Sequence, residues 1–123
     1  MFNTSLKTNE YQKIIIVSSL KKININQSLI NIYLELFDFI DMIILNSKTP
    51  LKFATFHKIK LMIFDSINNI NLTNNFIDYN DLICSINFDY IRSVFLSLNI
   101  TEMNYGIRII DKIQNYNNLI IEI

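Results

Sequence analysis

The sequence predicts an all-α fold of short antiparallel helix pairs, in a single helical domain over residues 1–123. Three observations support this prediction. Half of the 123 residues are hydrophobic, which is enough to form one substantial core. In the longest segments, apolar residues recur every three or four positions, as they do on one face of a helix. A single glycine and a single proline provide few of the tight turns on which sheet proteins depend.

The most regular segment runs from residue 26 to residue 47. We expect its acidic residues Glu35, Asp38 and Asp41, which follow one another at three-residue steps, to form a solvated face. Upstream, the segment "KIIIVSSL" (residues 13–20) fits either a helix or a strand, because isoleucine by itself favours strands. The apolar face of the regular segment consists of Leu29, Ile32, Tyr33, Leu36, Phe39, Ile40, Ile43 and Ile44.

Two further helix starts are visible in the sequence. Thr49 followed by Pro50 provides a hydroxyl cap and a residue whose missing N–H costs nothing in the first turn. From there apolar residues keep helical spacing to residue 68, and Asp78 begins another segment that keeps helical spacing to residue 98. The last segment carries its apolar residues at Ile107, Ile110, Ile113 and Leu119.

Composition restricts the classes of partner. Eleven basic and eleven acidic residues lack the excess of positive charge that phosphate binding requires, so we expect no nucleic-acid partner. No run of about 18 apolar residues is present, so we expect no membrane span. The 26 isoleucines and 18 asparagines are typical of AT-rich codons, as in many large DNA viruses, some intracellular bacteria and some organelles. Because a single cysteine suggests a reducing compartment and no membrane span is expected, we predict a cytoplasmic protein, located in the host cytoplasm if it is viral.

Two internal similarities raise the question of a repeat. "FDFIDMIIL" (residues 37–45) returns as "FDYIRSVFL" (residues 88–96), an offset of 51. "PLKFATFHKIKLMIF" also overlies "DLICSINFDYIRSVF" at an offset of 31, which aligns Ala54 with Ser85 as one tightly packed small-residue site. Each unit would then consist of a short helix, a polar break and a second helix. The alternative is a plain helical bundle, in which a few apolar residue types resemble one another by chance.

One unit also resembles a known family. Residues 49–74, "TPLKFATFHKIKLMIFDSINNINLTN", resemble a degenerate ankyrin repeat, whose pattern opens T-P-L-H-x-A. Thr49, Pro50, Leu51 and Ala54 match this opening, and Lys52 stands in place of the histidine. Residues 104–120 are similar to the opening of the repeats found in large DNA viruses. The resemblance implies a stack of helix pairs that binds another protein, and a compact bundle stays the alternative.

The residues predict no enzyme and no catalytic, cofactor or metal site. His57 is the only histidine and Cys84 the only cysteine, and no glycine-flanked nucleophile or nucleotide-binding loop is present. We expect His57 to lie at a break between helices and Cys84 to be a small buried hydrophobe. Asp78 and Asp81 lie close together but lack the other oxygen ligands of a calcium loop, so we expect them to be solvated.

The aromatic residues provide the functional hypothesis. Tyr33, Phe37, Phe56 and Tyr90 lie near the predicted breaks between helices and are candidates for a partner-binding surface. The sequence thus predicts a non-enzymatic helical protein–protein interaction module, an adaptor or decoy. The alternative is a small structural or assembly subunit of a larger complex. The sequence leaves the oligomeric state open, a homo-oligomer included, and a monodisperse monomer would favour the interaction module.

Overall fold

The computed structural model describes the backbone of residues 10–121 and the side chains of residues 10–116. These residues form helices and no strand, so the all-α prediction is confirmed for the described part of the chain. The predicted apolar position Leu119 lies outside the described side chains. The helices are α1 Glu10–Lys22, α2 Gln27–Leu45, α3 Pro50–Leu72, α4 Tyr79–Ser85, α5 Phe88–Phe95 and α6 Ile100–Ile121.

Both predicted helix starts are confirmed. Thr49 Oγ1 accepts a hydrogen bond from the Lys52 amide at 3.2 Å, and Pro50 occupies the first turn of α3. Asp78 and Asp81 form a capping box at the start of α4, in which each carboxylate accepts from the other residue's amide, at 2.9 and 3.0 Å. These two carboxylates therefore cap a helix, although both remain exposed as expected.

The structure decides one local prediction that the sequence leaves open and corrects two others. The segment 13–20 is helical within α1, and the predicted break near His57 is wrong because α3 runs without interruption through it. The segment 78–98 is broken instead at residues 86–87, where the Asn87 side chain accepts from the Tyr90 amide and begins α5.

Asn24 adopts the left-handed φ of 64° in the turn after α1, a conformation that asparagine tolerates better than most residues.

Helices α1 and α3 run parallel and pack against each other. Lys22, the last residue of α1, donates from Nζ to the carbonyl of Ile70 near the end of α3, at 3.0 Å, so the two C-terminal ends are adjacent. A short turn joins α2 to α3, and these two helices form an antiparallel hairpin.

Helix α2 packs against α6 as well as against α3. Near the start of α2, Asn26 donates to the hydroxyl of Tyr116 in the late part of α6, and farther along Glu35 accepts from the hydroxyl of Tyr105. These two contacts make α2 and α6 antiparallel. The connection from α2 to α3 (residues 46–49) and the one from α5 to α6 (residues 96–99) therefore lie together, at what we name the turn end.

The chain's only glycine determines how closely α2, α5 and α6 approach. A Cβ atom on Gly106 would lie 2.6 Å from Cδ2 of Phe95 and 2.9 Å from Cε2 of Phe39. Phe95 is fully buried, with its ring stacked on Phe56 at 5.9 Å and in edge contact with Phe39 at 5.5 Å. Position 106 thus lacks room for any side chain larger than hydrogen unless these rings move.

Two polar contacts, one buried and one partly buried, join distant parts of the chain. Lys60 Nζ of α3 donates to Asp41 Oδ1 of α2 at 2.7 Å, and both side chains are buried. The predicted solvation of Asp41 is therefore wrong, because a cation from the neighbouring helix compensates its charge. Tyr79 donates to the carbonyl of Ile113 at 3.0 Å, and its hydroxyl oxygen lies 3.2 Å from that of the buried Tyr33.

The two internal similarities have different outcomes. At the offset of 31, Ala54 and Ser85 are both exposed, so the tightly packed small-residue site predicted for them is wrong. At the offset of 51, burial does correspond: three apolar pairs are buried on both sides. These pairs are Phe37 with Phe88, Ile40 with Ile91, and Ile44 with Phe95. The similarity thus relates α2 to α5, the first helices of the hairpins α2–α3 and α5–α6.

An ankyrin origin for residues 49–74 stays a prediction.

Candidate protein-docking groove

Three of the four aromatic residues predicted to bind a partner lie in the core. Tyr33, Phe37 and Phe56 are at most 2% exposed, because the faces of α2 and α3 that carry them pack against other helices. They are not available to a partner in this structure, and their proposed role is corrected. Tyr90 is half-buried, and Lys58 Nζ lies 5.7 Å from the centroid of its ring.

The two residues considered for chemistry lie apart from any reactive arrangement in the described residues. His57 is half-buried within α3, where its ring stacks on Phe53 at a centroid distance of 5.9 Å. Cys84 is exposed, so the expectation that it is buried is wrong. The reason is that α4 has only seven residues and buries only Leu82 among them.

Neither a metal site nor a membrane span is found between residues 10 and 121. No three histidine, cysteine or acidic side chains in this range come together in a way that could hold a metal ion. Within the same range, none of the helices combines the length and apolar character needed to cross a bilayer.

A concave surface lies between α2 and α6, and we name it the α2/α6 groove. It has a volume of about 450 Å³ and receives side chains from two helices. A second hollow of similar volume, around Phe53 and Leu61, is formed by side chains of α3 alone. The α2/α6 groove is lined by Glu35, Asp38, Phe39 and Met42 of α2 and by Thr101, Glu102 and Tyr105 of α6.

The floor of the groove is apolar and aromatic. Phe39 is buried beneath it, and its ring contacts that of Tyr105 at a centroid distance of 5.2 Å. Met42 and Tyr105 are each 41% exposed, so a large part of their surface remains open to a ligand. Because Gly106 follows Tyr105 and lets α6 lie close to Phe39, the packing beneath the floor is tight.

The rim of the groove is acidic. Glu35 and Asp38 lie on the α2 side and Glu102 on the α6 side, and none of the seven lining residues is basic. The Tyr105 hydroxyl donates to Glu35 Oε1 at 2.7 Å. This hydrogen bond, with smaller contributions from burial and from the charges of Glu35 and Asp38, raises the pKa of Tyr105 above its usual value. The groove therefore combines negative charge with an exposed apolar floor.

Sequence reasoning places Glu35 and Asp38 on a solvated face but names none of the seven lining residues as a partner-binding candidate. The acidic step of Glu35 and Asp38 is visible in α2, but nothing in the sequence places Tyr105 beside it, 70 residues away. Met42 is also easy to overlook, because it stands beside the apolar stripe of α2 as an ordinary hydrophobic residue. Comparison with known proteins finds no match to a family model, to a curated protein or to a solved structure.

Proposed function

We propose that this protein is a non-enzymatic protein–protein interaction module, an adaptor or decoy, that holds its partner in the α2/α6 groove. The observation that carries the proposal is a concave surface on two packed helices, with Met42 and Tyr105 partly exposed over the buried Phe39. Aromatic and methionine side chains in such a setting are typical of the centres of protein interfaces. A cytoplasmic location, a viral origin and ankyrin-like ancestry stay predictions.

The rigidity of the groove supports this function. Its lining residues belong to regular helix, so their backbones need little ordering when a partner arrives. Tyr105 is held from two sides, by the hydroxyl bond to Glu35 and by the ring of Phe39. Methionine adapts its shape readily, so Met42 can fit a partner side chain without disturbing this arrangement.

A second candidate function, a subunit of a larger assembly, rests on exposed apolar residues outside the groove. Leu72 and Phe76, around the connection from α3 to α4, are 75% and 88% exposed. A subunit of a complex would cover such residues with its neighbours. Sedimentation velocity of the isolated protein discriminates between the two functions: a monodisperse monomer supports the module, whereas concentration-dependent association supports the subunit.

Affinity capture with matched variants tests the proposed function. The parent protein, Met42→Lys and Leu72→Lys would each be used as bait, and bound proteins identified by mass spectrometry. Leu72 is the control, because it is an exposed leucine at the end of α3 away from the turn end. We expect Met42→Lys to lose a partner that the parent and Leu72→Lys retain. Identical capture by all three proteins would contradict the proposal.

A further inference from the structure

We propose that the occupant of the α2/α6 groove is a basic amphipathic segment of another protein, with one large apolar side chain flanked by lysines or arginines. This inference rests on the proposed function and adds the chemical class of the partner. It follows from the position of the charges relative to the apolar floor, and not from the acidic residues alone.

The groove has carboxylates along both of its sides. Glu35 and Asp38 line the α2 side over one helical turn, and Glu102 stands on the opposite helix. The partly exposed side chains of Met42 and Tyr105 line the same groove. An apolar side chain that enters the floor therefore brings its neighbours next to carboxylates on either side. Lysine or arginine neighbours would be stabilised there, whereas acidic neighbours would be repelled.

The dimensions fit a short helix. From Glu35 to Met42 the groove extends over eight residues of α2, and the seven steps between them span about 10 Å at 1.5 Å per residue. That length corresponds to about two turns of a partner helix lying along the groove. Basic residues at its two ends and one leucine-sized residue between them would match the rim and the floor. The net charge of the whole chain is zero, so the attraction is local to this groove.

Three designed peptides test the inference by NMR titration of ¹⁵N-labelled protein. All three are alanine-based helices of equal length: one has a single leucine flanked by lysines, one replaces the lysines by glutamates, and one keeps the lysines but replaces the leucine by alanine. We expect the lysine–leucine peptide to bind most tightly and to shift the amides of residues 35–42 and 101–106. Added salt should weaken this binding, because part of it is electrostatic.

Two triple variants with the same net charge provide the matched comparison. Glu35→Gln/Asp38→Asn/Glu102→Gln removes the rim charges, and Glu10→Gln/Asp65→Asn/Asp89→Asn removes three exposed acids outside the groove. A rim charge pair contributes roughly a factor of two to affinity, so the groove triple should bind the lysine–leucine peptide about tenfold more weakly. The control triple should bind it within about twofold of the parent.

The possible results separate this inference from the proposed function. Two results would contradict a basic occupant: equally tight binding of the glutamate–leucine and lysine–leucine peptides, or no loss of affinity in the groove triple. Either result leaves the proposal that the α2/α6 groove binds a partner unaffected. If no peptide shifts the groove amides, the basic partner is also wrong. If, in addition, the Met42→Lys protein captures the same natural partners as the parent, the proposed function is contradicted as well.

Discussion

Replacing Gly106 by alanine tests how closely α6 packs against its neighbours. In an unobstructed helix this substitution stabilises by about 1 kcal/mol, because alanine has the higher helix propensity. Here the new Cβ atom would lie 2.6 Å from Phe95 and 2.9 Å from Phe39, well inside the usual carbon–carbon separation of about 3.5–4.0 Å. The ring of Phe95 is fully buried against Phe56, so it cannot turn aside freely.

The magnitude follows from these opposing contributions. Overpacking a tight core site by one carbon typically costs about 1–3 kcal/mol, and the gain in propensity offsets about 1 kcal/mol of that. We therefore expect Gly106→Ala to lower the free energy of unfolding by about 1 kcal/mol, measured by urea denaturation followed by circular dichroism. Asn104→Ala, at an exposed position of the same helix, is the control and should raise it by about 0.5 kcal/mol.

A double-mutant cycle identifies the cause of the loss. Phe95→Leu makes room beside position 106, so adding Gly106→Ala to that background should cost less than it does in the parent. We expect a coupling free energy of about 1 kcal/mol between the two positions. If Gly106→Ala stabilises the parent by about 1 kcal/mol, the close approach of α6 to Phe39 and Phe95 is wrong, and the floor of the groove with it.

Three further predictions concern buried polar groups and can be checked by the same denaturation experiment. Lys60→Met leaves the Asp41 carboxylate buried without its cation and should cost about 3–5 kcal/mol, whereas the double variant Asp41→Leu/Lys60→Met should stay within about 1 kcal/mol of the parent; equal losses would contradict this. Burial raises the pKa of Tyr79 to about 12 and that of Tyr33 well above its usual value, so unfolded tyrosines lose their protons from about pH 10 while the folded ones keep them. The free energy of unfolding should therefore fall between pH 10 and 12, by about 1.4 kcal/mol per pH unit for each of Tyr33 and Tyr79. Tyr33→Phe should make this fall with pH less steep, and an unchanged steepness would contradict the prediction. Ser19 is fully buried in α1, and its hydroxyl has no hydrogen-bond partner among the described residues, so Ser19→Ala should stabilise by about 1 kcal/mol, and a loss of stability would refute this.

The parts of the fold that sequence predicts best depend on neighbouring residues. The start of α3 is visible because Thr49 and Pro50 act within a single turn, and the capping box of α4 spans only Asp78 to Asp81. The apolar stripe of α2 is likewise a local pattern, and most of its predicted residues are buried. Local chemistry therefore accounts for the apolar face of α2 and for the starts of α3 and α4.

The features that sequence does not predict depend on which helices meet. Asp41 follows Asp38 at the same three-residue step, yet Asp38 is exposed and Asp41 is buried. The burial of Asp41 depends on its ion pair with Lys60 of α3, which compensates the charge of the carboxylate. Phe56 was expected at the surface because a break was predicted beside it, but in the uninterrupted α3 it packs on Phe95. The groove has the same origin, since α2 provides an acidic face and α6, far away in sequence, provides Tyr105.

Photo-crosslinking tests the central claim, that the α2/α6 groove is the docking surface, most directly. A benzophenone amino acid would replace Met42 in one protein and Leu72 in another, and each would be irradiated in complex with the captured partner. Both positions are exposed, but only Met42 lines the groove. We predict a crosslink from position 42 to a basic amphipathic segment of the partner, and none from position 72. A crosslink from position 72 with none from position 42 would contradict the account.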